Sequence, residues 1–268
     1  MESISMNKLF YGDNLDILRR YIKDETIDLI YLDPPFNSKA TYNVLFGNKD
    51  EPDAPAQIKA FDDTWHWDQS AAESFREVVE KGGNVSRAMQ AFRLLLNHSD
   101  MLAYLSMMAP RLIELQRVLK PTGTIYLHCD PTASHYLKLL IDAVFGPDNF
   151  RNEISWCYRK WSVAQSQFTR NHDVIFFYSN SKENTFNTQY VPLSEGTIKR
   201  WKGKKQQAKF DEHGRRLATN LEVESKGTPM PDWWEVSIIN PNAKERLGYP
   251  TQKPEELLER IIKASSNE

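Results

Sequence analysis

The residues best suited to chemistry are Asp33-Pro34-Pro35-Phe36, which directly follow the apolar run from Ile27 to Leu32. In this arrangement the Asp33 carboxylate can accept one hydrogen of a planar amine, and the Pro34 carbonyl can accept the other. Proline fixes φ and carries no N–H, so two prolines make a rigid turn with outward carbonyls. Phe36 can then stack on the heterocycle that bears the amine. Drawing both hydrogens aside turns the nitrogen lone pair toward an electrophile, as alkylation of a nucleobase amine requires. A plain turn after a buried strand is the alternative for the tripeptide alone.

The elements that must position this turn alternate between strands and helices. Residues 8–11 predict a short strand that ends at Gly12-Asp13, and residues 15–22 a helix behind it. The run Ile27–Leu32 is typical of a parallel strand covered on both faces. Further strands are predicted at 124–128, 154–158 and 174–178, and further helices at 98–119, 132–145 and 255–263. The alternation predicts a doubly wound α/β sheet.

Two segments depart from this alternation. Residues 37–80 are polar and aromatic, and predict a long loop or lid with some helix after Gln69. Residues 180–248 are rich in Lys, Asn, Gln and Trp and have poor periodicity. They are interpreted as an insertion that supplies binding rather than core.

Six short segments together resemble the motifs of S-adenosylmethionine-dependent DNA amino-methyltransferases. They are, in order, Tyr11-Gly12-Asp13-Asn14-Leu15, Asp33-Pro34-Pro35-Phe36, residues 119–125, His128-Cys129-Asp130, residues 172–178 and Thr251-Gln252-Lys253-Pro254. The catalytic motif comes first, as in the permuted (beta-class) members. The resemblance implies a Rossmann-like methyltransferase sheet, S-adenosylmethionine as cofactor, and direct methyl transfer to a base flipped out of double-stranded DNA.

The resemblance also assigns roles to individual residues. Asp33, Pro34, Pro35 and Phe36 are the implied catalytic residues. Asp13 and Asn14 correspond to the position near the cofactor's adenine, although an N-cap of the following helix explains Asp13 equally well. Gln252, Lys253 and Pro254 correspond to the motif at the methionine end, where free donors of a helix start suit a carboxylate. A plain helix start is the alternative there.

The sequence leaves alternatives open both for the target base and for the activity of this chain. Asp at the first motif position favours adenine, since the cytosine-directed relatives commonly carry Ser there. A cytosine amine, an RNA base and a protein glutamine amide are the alternative targets of an enzyme. A DNA-binding fragment without turnover is the alternative to an enzyme.

The glycine content bears on whether the chain contains the glycine-rich loop that would hold the cofactor. The chain has 11 glycines and no Gly-x-Gly, whereas the family's permuted order places a strand and a glycine-rich loop after the Gln-Lys-Pro helix. We therefore expect a truncated chain that is inactive by itself, with an incomplete sheet that lacks central strands beside the strand ending at Asp33. The expected units are a catalytic core at 1–179, a target-recognition insertion at 180–248, and the start of a cofactor-binding segment at 249–268.

Charge is distributed unevenly along the chain. The whole chain has a net charge of −2, but residues 151–216 carry 13 basic and 6 acidic side chains, a net charge of +7. Basic residues interleaved with an aromatic residue suit a nucleic-acid backbone, and a solvated charged face is the alternative. The predicted DNA-binding residues are Arg159, Lys160, Lys199, Arg200, Lys202, Lys204, Lys205 and Lys209. Double-stranded DNA is the expected partner, and the resemblance adds a restriction subunit or a second copy of the chain.

Several other classes of protein find no support in the sequence. No apolar run approaches the ~18–20 residues of a membrane span, so no membrane partner is expected. The start lacks the features of a secretory signal, and Cys129 and Cys157 form no spaced pattern, which together favour a cytoplasmic location. His128, Cys129, Asp130 and His135 are a poor ligand set, and we predict a strand end that lines the cofactor side rather than a metal site.

Overall fold

The structure, a computed structural model, describes residues 7–35, 40–45, 57–63, 65–160, 166–202, 204, 209–217, 225–249 and 251–267. Of residues 40–45, 57–63, 201, 209–210 and 216–217 it describes the backbone alone. The helices are α1 Asn14–Tyr21, α2 Gln69–Lys81, α3 Gly83–Leu96, α4 Asp100–Val118, α5 Pro131–Phe145, α6 Glu195–Trp201 and α7 Glu255–Ser265. The strands are β1 Ile27–Leu32, β2 Ala40–Leu45, β3 Gln57–Asp63, β4 Leu119–Cys129, β5 Phe150–Cys157, β6 His172–Ser179, β7 Tyr190–Val191, β8 Lys209–Phe210, β9 Arg216–Leu217, β10 Thr228–Pro229 and β11 Trp233–Glu235.

The central sheet has five strands in the order β1-β4-β6-β5-β11. Strands β1 and β4 are parallel, as are β11 and β5, whereas β6 runs antiparallel to both of its neighbours. The predicted α/β class is therefore confirmed, with a mixed sheet.

Both faces of this sheet are covered, which explains why β6 is buried over nearly its whole length. In β6, Val174, Phe176 and Tyr178 pack into the larger core beneath helices α1 to α5. Ile175 and Phe177 alternate with them and face the smaller core under α7. Side chains of a strand point alternately to its two faces, so one strand serves both cores.

Local sequence signals fix the ends of the principal helices. The Ser99 hydroxyl accepts from Leu102 N at the start of α4, and the Asp130 carboxylate accepts from Ala133 N at the start of α5. Gly146 ends α5 with a φ of +85°, a conformation that glycine adopts at little cost. Helices α2, α4, α5 and α7 and strands β1, β4, β5 and β6 lie where the sequence predicts them.

The strand predicted at residues 8–11 is not formed. Leu9 is 99% exposed and Tyr11 is 83% exposed, and β1 is the edge strand of the sheet in the part of the chain that the structure describes. A strand requires a neighbour for its N–H and C=O groups, and no described strand lies beyond β1.

Three further segments differ from the sequence prediction. The predicted loop at 37–80 contains an antiparallel hairpin of β2 and β3 in its described part. Helix α3 was not predicted at all. Within the predicted insertion, β11 pairs with β5, and Trp234 and Val236 are buried in the smaller core. The end of that segment therefore builds the core, because its apolar side chains complete the edge of the sheet.

No helix among the described residues combines the length and the apolar character needed to cross a lipid bilayer.

Candidate active site

Asp33 lies at the carboxyl end of β1, beside the carboxyl end of β4. The two strands are parallel and Leu32 is opposite Leu127, so Asp33, which follows β1, lies beside His128, the next residue of β4. Asp33 Oδ1 is 3.3 Å from His128 Nδ1. The turn that follows has a buried Pro34 and a partly buried Pro35. Phe36 lies outside the described residues.

Lys253 binds the other oxygen of the same carboxylate. Its Nζ donates to Asp33 Oδ2 at 2.5 Å and to the Thr251 carbonyl at 3.2 Å. The two side chains are only 14% and 25% exposed. Lys253 reaches this position because α7, which begins two residues later, packs against β1 and β4. The structure therefore brings together two motifs that stand 220 residues apart in the chain.

These two contacts decide the ionisation of Asp33. Burial by itself raises the pKa of the carboxyl group, but the hydrogen bond from His128 and the charge of Lys253 outweigh it. The pKa of Asp33 is consequently lower than usual, and the group is an acceptor-only carboxylate at neutral pH.

His128 is the residue of this site that the sequence did not assign to catalysis. Its side chain is fully buried, with Nδ1 2.9 Å from the Tyr31 hydroxyl and Nε2 3.3 Å from Asp173 Oδ2. Asp173 Oδ1 in turn accepts from the Tyr158 hydroxyl at 3.2 Å. The sequence predicts for the His128-Cys129-Asp130 motif a strand end that faces the cofactor rather than a metal site. The parallel pairing of β1 with β4 was the signal that could have placed it beside Asp33.

The cysteine that follows is unsuited to nucleophilic chemistry. Burial, reinforced by nearby carboxylates, raises the pKa of the Cys129 thiol well above its usual range. A buried thiol in such surroundings stays protonated, and the thiolate is the reactive form. This agrees with a transfer that needs no covalent enzyme intermediate.

Asp13 and Asp33 line one cleft of about 960 Å³. Its wall is formed by residues from the segment before α1, the end of β1, the start of α2 and the middle of α4. Aromatic and sulfur-containing side chains, among them Trp65 and Met108, line the same cleft. The cleft is large enough for a nucleoside-sized ligand.

Asp13 is held at this cleft by two sets of contacts. Its carboxylate accepts from Leu15 N at 2.8 Å and so caps α1. Arg111 Nη2 lies 2.8 and 2.7 Å from the two Asp13 oxygens, and Arg111 Nε donates to Asn14 Oδ1 at 2.8 Å. The N-cap interpretation is confirmed, and it is compatible with the role near the cofactor, which stays a prediction.

The segment before α7 is held in place by hydrogen bonds to other residues of the chain. The Gln252 amide donates to the Glu245 carbonyl at 2.7 Å and accepts from Leu247 N at 2.8 Å. Glu245 Oε2 accepts from Glu255 N at 3.1 Å, so a carboxylate of the protein already binds one donor of this helix start. Pro254 is buried. The cofactor-binding role of Gln252, Lys253 and Pro254 stays a prediction.

The predicted DNA-binding residues are exposed wherever the structure describes their side chains. Lys199 and Arg200 lie in the last turn of α6, and Lys202 follows in a left-handed conformation. Lys205 and the side chain of Lys209 lie outside the described residues. The exposed members are Arg159, Lys160, Lys199, Arg200, Lys202 and Lys204.

An α/β sheet that presents an Asp-Pro-Pro turn at a strand end, above a cleft of nucleoside size, defines a Rossmann-like methyltransferase core. Comparison with known protein families places the chain within this class. Residues 27–268 match the N6_N4_Mtase model, described as DNA methylase. The protein belongs to this family.

Individual relatives agree with the assignment. The chain is 27% identical to the Type III restriction-modification enzyme StyLTI Mod subunit of Salmonella typhimurium, over 95% of this chain and 36% of the subunit. It is 30% identical to the Type II methyltransferase M.HpaI of Haemophilus parainfluenzae, over 62% of this chain and 46% of that enzyme. The chain thus spans less than half the length of these relatives.

The fold is similar to that of a solved methyltransferase. The PvuII DNA methyltransferase (cytosine-N4-specific) superimposes with a TM-score of 0.50 at 10% identity, over 96% of this chain and 70% of that chain.

Proposed function

We propose that the protein transfers a methyl group from S-adenosylmethionine to the exocyclic amine of an adenine flipped out of double-stranded DNA. The observation that carries the proposal is the ionised Asp33 carboxylate, held at the cleft by Lys253 and His128 and followed by the Pro34-Pro35 turn. Membership of the DNA methylase family supports DNA as the substrate. Asp at the first motif position, together with the permuted order of the motifs, supports the adenine-directed beta class.

The cleft suits the cofactor. Carboxylates at Asp13, Asp33 and Asp68 line it together with aromatic surface from Tyr11 and Trp65. Aromatic faces match a flat heterocycle, and carboxylates match a ligand with positively charged sulfonium and amino groups. Asp13 and Asn14 would hold the adenosine end. When bound, S-adenosylmethionine supplies the electrophilic methyl group.

The chain's own residues orient and deprotonate the amine. Each oxygen of an ionised carboxylate has more than one acceptor position, so Asp33 can receive an amine hydrogen while it keeps His128 and Lys253. The Pro34 carbonyl receives the second hydrogen, and the lone pair then points along the line of attack. Methylation would make the amine nitrogen strongly acidic, and Asp33 would accept the proton that it releases.

Double-stranded DNA is proposed to bind through the exposed cations that follow β5 and lie on and after α6. Lys199 and Arg200 are neighbours at the end of α6, where cations also interact favourably with the helix dipole. Their charge favours a phosphate backbone without sequence preference. A restriction subunit or a second copy of the chain is a further proposed partner, supported only by the family resemblance.

A second candidate is DNA binding without turnover by this chain alone. The unpaired edge of β1, among the described residues, and the absence of any Gly-x-Gly pattern favour it. In this case a further segment would be needed to hold the cofactor. Calorimetric titration with S-adenosylmethionine separates the two candidates: micromolar binding by this chain supports the enzyme, and the absence of binding supports the second candidate.

The test of the enzyme is transfer of labelled methyl to duplexes with a radiolabel readout for adenine and for cytosine. We expect Asp33→Asn to lower the rate at least ~100-fold, because a positioned acid–base group contributes about that much or more. Asp28→Asn in the same strand is the matched control, since Asp28 is 64% exposed and pairs with Lys120 on the surface. Label in cytosine would support the alternative base. A fully active Asp33→Asn variant would refute the assignment of the site.

A further inference from the structure

We propose that Tyr249 binds the target base and supplies an aromatic face on which the flipped base stacks beside Asp33. The inference rests on the proposed function, because a base reaches Asp33 only if its amine is the methyl acceptor.

Tyr249 lies in the wall of the cleft that also contains Asp33 and Asp13. The residue is 43% exposed, so a large part of its surface is not covered by the protein. An aromatic side chain on the wall of a cleft of nucleoside size is available to a flat ligand.

The Phe, Tyr and Trp residues of the cleft divide into two groups. The Phe10 ring stacks on a tyrosine of α1 with centroids 5.7 Å apart, and the Trp65 ring lies 6.3 Å from that of a buried tyrosine of α4. By contrast, within the described part of the chain neither Tyr11 nor Tyr249 forms a hydrogen bond or a ring contact through its side chain. These two tyrosines are therefore the cleft residues whose aromatic faces can receive a ligand.

Each of the two tyrosines is close in the chain to a different carboxylate site. Tyr11 stands two residues before Asp13, whose predicted role is near the adenosine end of the cofactor. Tyr249 stands four residues before Lys253, whose Nζ donates to Asp33 at 2.5 Å. Because the amine of the target base is proposed to bind at Asp33, Tyr249 is assigned to the base and Tyr11 to the cofactor.

Hydrogen bonds of the surrounding segment fix the position of Tyr249. Its carbonyl accepts from Gln252 N at 3.2 Å, and the Gln252 amide binds backbone groups of residues 245–247. The ion pair of Lys253 with Asp33 ties the same segment to the catalytic turn. A side chain on a fixed backbone loses less conformational freedom when it binds a ligand.

A flipped base requires surfaces of this kind. Leaving the duplex costs the base its stacking on the neighbouring base pairs, and stacking on an aromatic side chain offsets part of that cost. Phe36 is the implied partner of one face, and Tyr249 supplies a second aromatic surface. Every base has a π-face, so Tyr249 retains the base while Asp33 and the Pro34 carbonyl select its amine.

Two rival explanations give different results when the ring is removed. If Tyr249 only packs against the protein, its removal lowers the melting temperature. If the ring contacts the cofactor, its removal weakens the binding of S-adenosylmethionine. A ring that faces the base leaves both quantities unchanged and weakens only the binding of the base.

The first experiment needs no turnover. Its probe is a duplex that carries the fluorescent base 2-aminopurine opposite an abasic site, so that the base has no pairing partner to lose. We expect the wild type and Tyr249→Phe to quench the probe by stacking. We expect Tyr249→Leu to leave the bound probe brighter and to bind the duplex about 5- to 150-fold more weakly.

Tyr190→Leu is the matched control for this titration. Tyr190 is also 43% exposed, but it lies in β7 and does not line the cleft, so the variant should behave as the wild type does. Equal probe brightness and equal affinity for Tyr249→Leu and the wild type would overturn the proposal.

The second experiment measures melting and calorimetric binding of S-adenosylmethionine. We expect Tyr249→Leu to match the wild type in both, whereas Tyr11→Leu should weaken cofactor binding and leave the quenching of the probe unchanged. A lower melting temperature of Tyr249→Leu together with normal quenching would show a packing role. Weaker cofactor binding by Tyr249→Leu together with normal quenching would place the ring at the cofactor. Either result overturns the proposal.

Methylation kinetics separate this proposal from the proposed function. If the wild type methylates nothing, the proposed function fails for this chain, and the probe titration alone decides whether Tyr249 stacks on a base. If the wild type is active, Tyr249→Leu should raise the KM for DNA and Tyr249→Phe should restore it. An active Tyr249→Leu variant with an unchanged KM would refute the stacking role and leave the proposed function standing. If Tyr249→Leu fails to fold, Tyr249→Gln replaces it, with the same outcomes.

Discussion

Replacing Lys253 by methionine tests whether the contact with Lys253 sets the ionisation of Asp33. Methionine keeps much of the apolar stem and removes the ammonium group, which lies 2.5 Å from Asp33 Oδ2. An opposite charge at such a distance lowers a carboxyl pKa by roughly one to three units. His128 remains in the variant and accounts for part of the lowering, so we expect the pKa of Asp33 to rise toward its ordinary value without reaching it. Each unit of such a rise corresponds to about 1.4 kcal/mol of unfolding free energy.

The same change predicts how stability depends on pH. The pKa of Asp33 is lowered in the folded protein, so its stabilisation is fully present above the unfolded pKa of about 3.9 and is lost as pH falls through the folded value. The difference in unfolding free energy between wild type and Lys253→Met should therefore be constant from neutral pH down to about 5 and shrink below that.

The assay is NMR titration of the Asp33 carboxyl carbon, combined with urea denaturation at pH 7 and pH 3. Lys263→Met is the matched control, because Lys263 lies in α7 and its 58% exposed side chain forms a surface pair with Glu259. The reasoning is refuted if the Asp33 pKa in Lys253→Met equals that of the control.

Three other substitutions probe further contacts of the fold, one of them at the cleft. Arg111→Leu removes the fork onto Asp13 and should lower the unfolding free energy by about 1 to 2 kcal/mol in urea; an unchanged urea midpoint would contradict this. Ser265→Ala leaves the buried Tyr126 hydroxyl, now 2.7 Å from Ser265 Oγ, without that partner. The pKa of Tyr126, raised by burial to about 12, should rise further in an ultraviolet titration, and a fall would contradict the hydrogen bond. Gly227→Ala places a Cβ 2.3 Å from a carbonyl of β7, at a φ of +117°, so hydrogen exchange at β7 and β10 should accelerate; unchanged protection would contradict the clash.

The sequence by itself determined the class of fold and most of the elements near the site. Apolar runs such as Ile27–Leu32 favour strands covered on both faces. Capping residues such as Ser99 and Asp130 then fixed where helices begin, because these signals act within a few residues of the chain. The Asp33 turn was predictable for the same reason, since proline and aspartate set local geometry directly.

Tertiary structure decided which partners surround Asp33. Lys253 is predicted as a cofactor residue, and that role stays a prediction. Its ion pair with the Asp33 carboxylate could not be predicted, because it forms only when α7 packs back onto β1 and β4. His128 meets Asp33 only through the register of two parallel strands. Neither contact has a local signal, since strand order and register depend on which apolar faces are buried together.

The departures from prediction have the same physical origin. Residues 8–11 have a strand-like composition but remain exposed at Leu9 and Tyr11, because a strand is stable only beside another strand. Trp234 and Val236 stand in a polar segment and are nonetheless core, because β5 offers them an edge to pair with. The sequence thus determined which residues can do chemistry and which local elements carry them. Only the packing of distant segments decided which charges face one another, because ionisation depends on neighbours in space rather than in sequence.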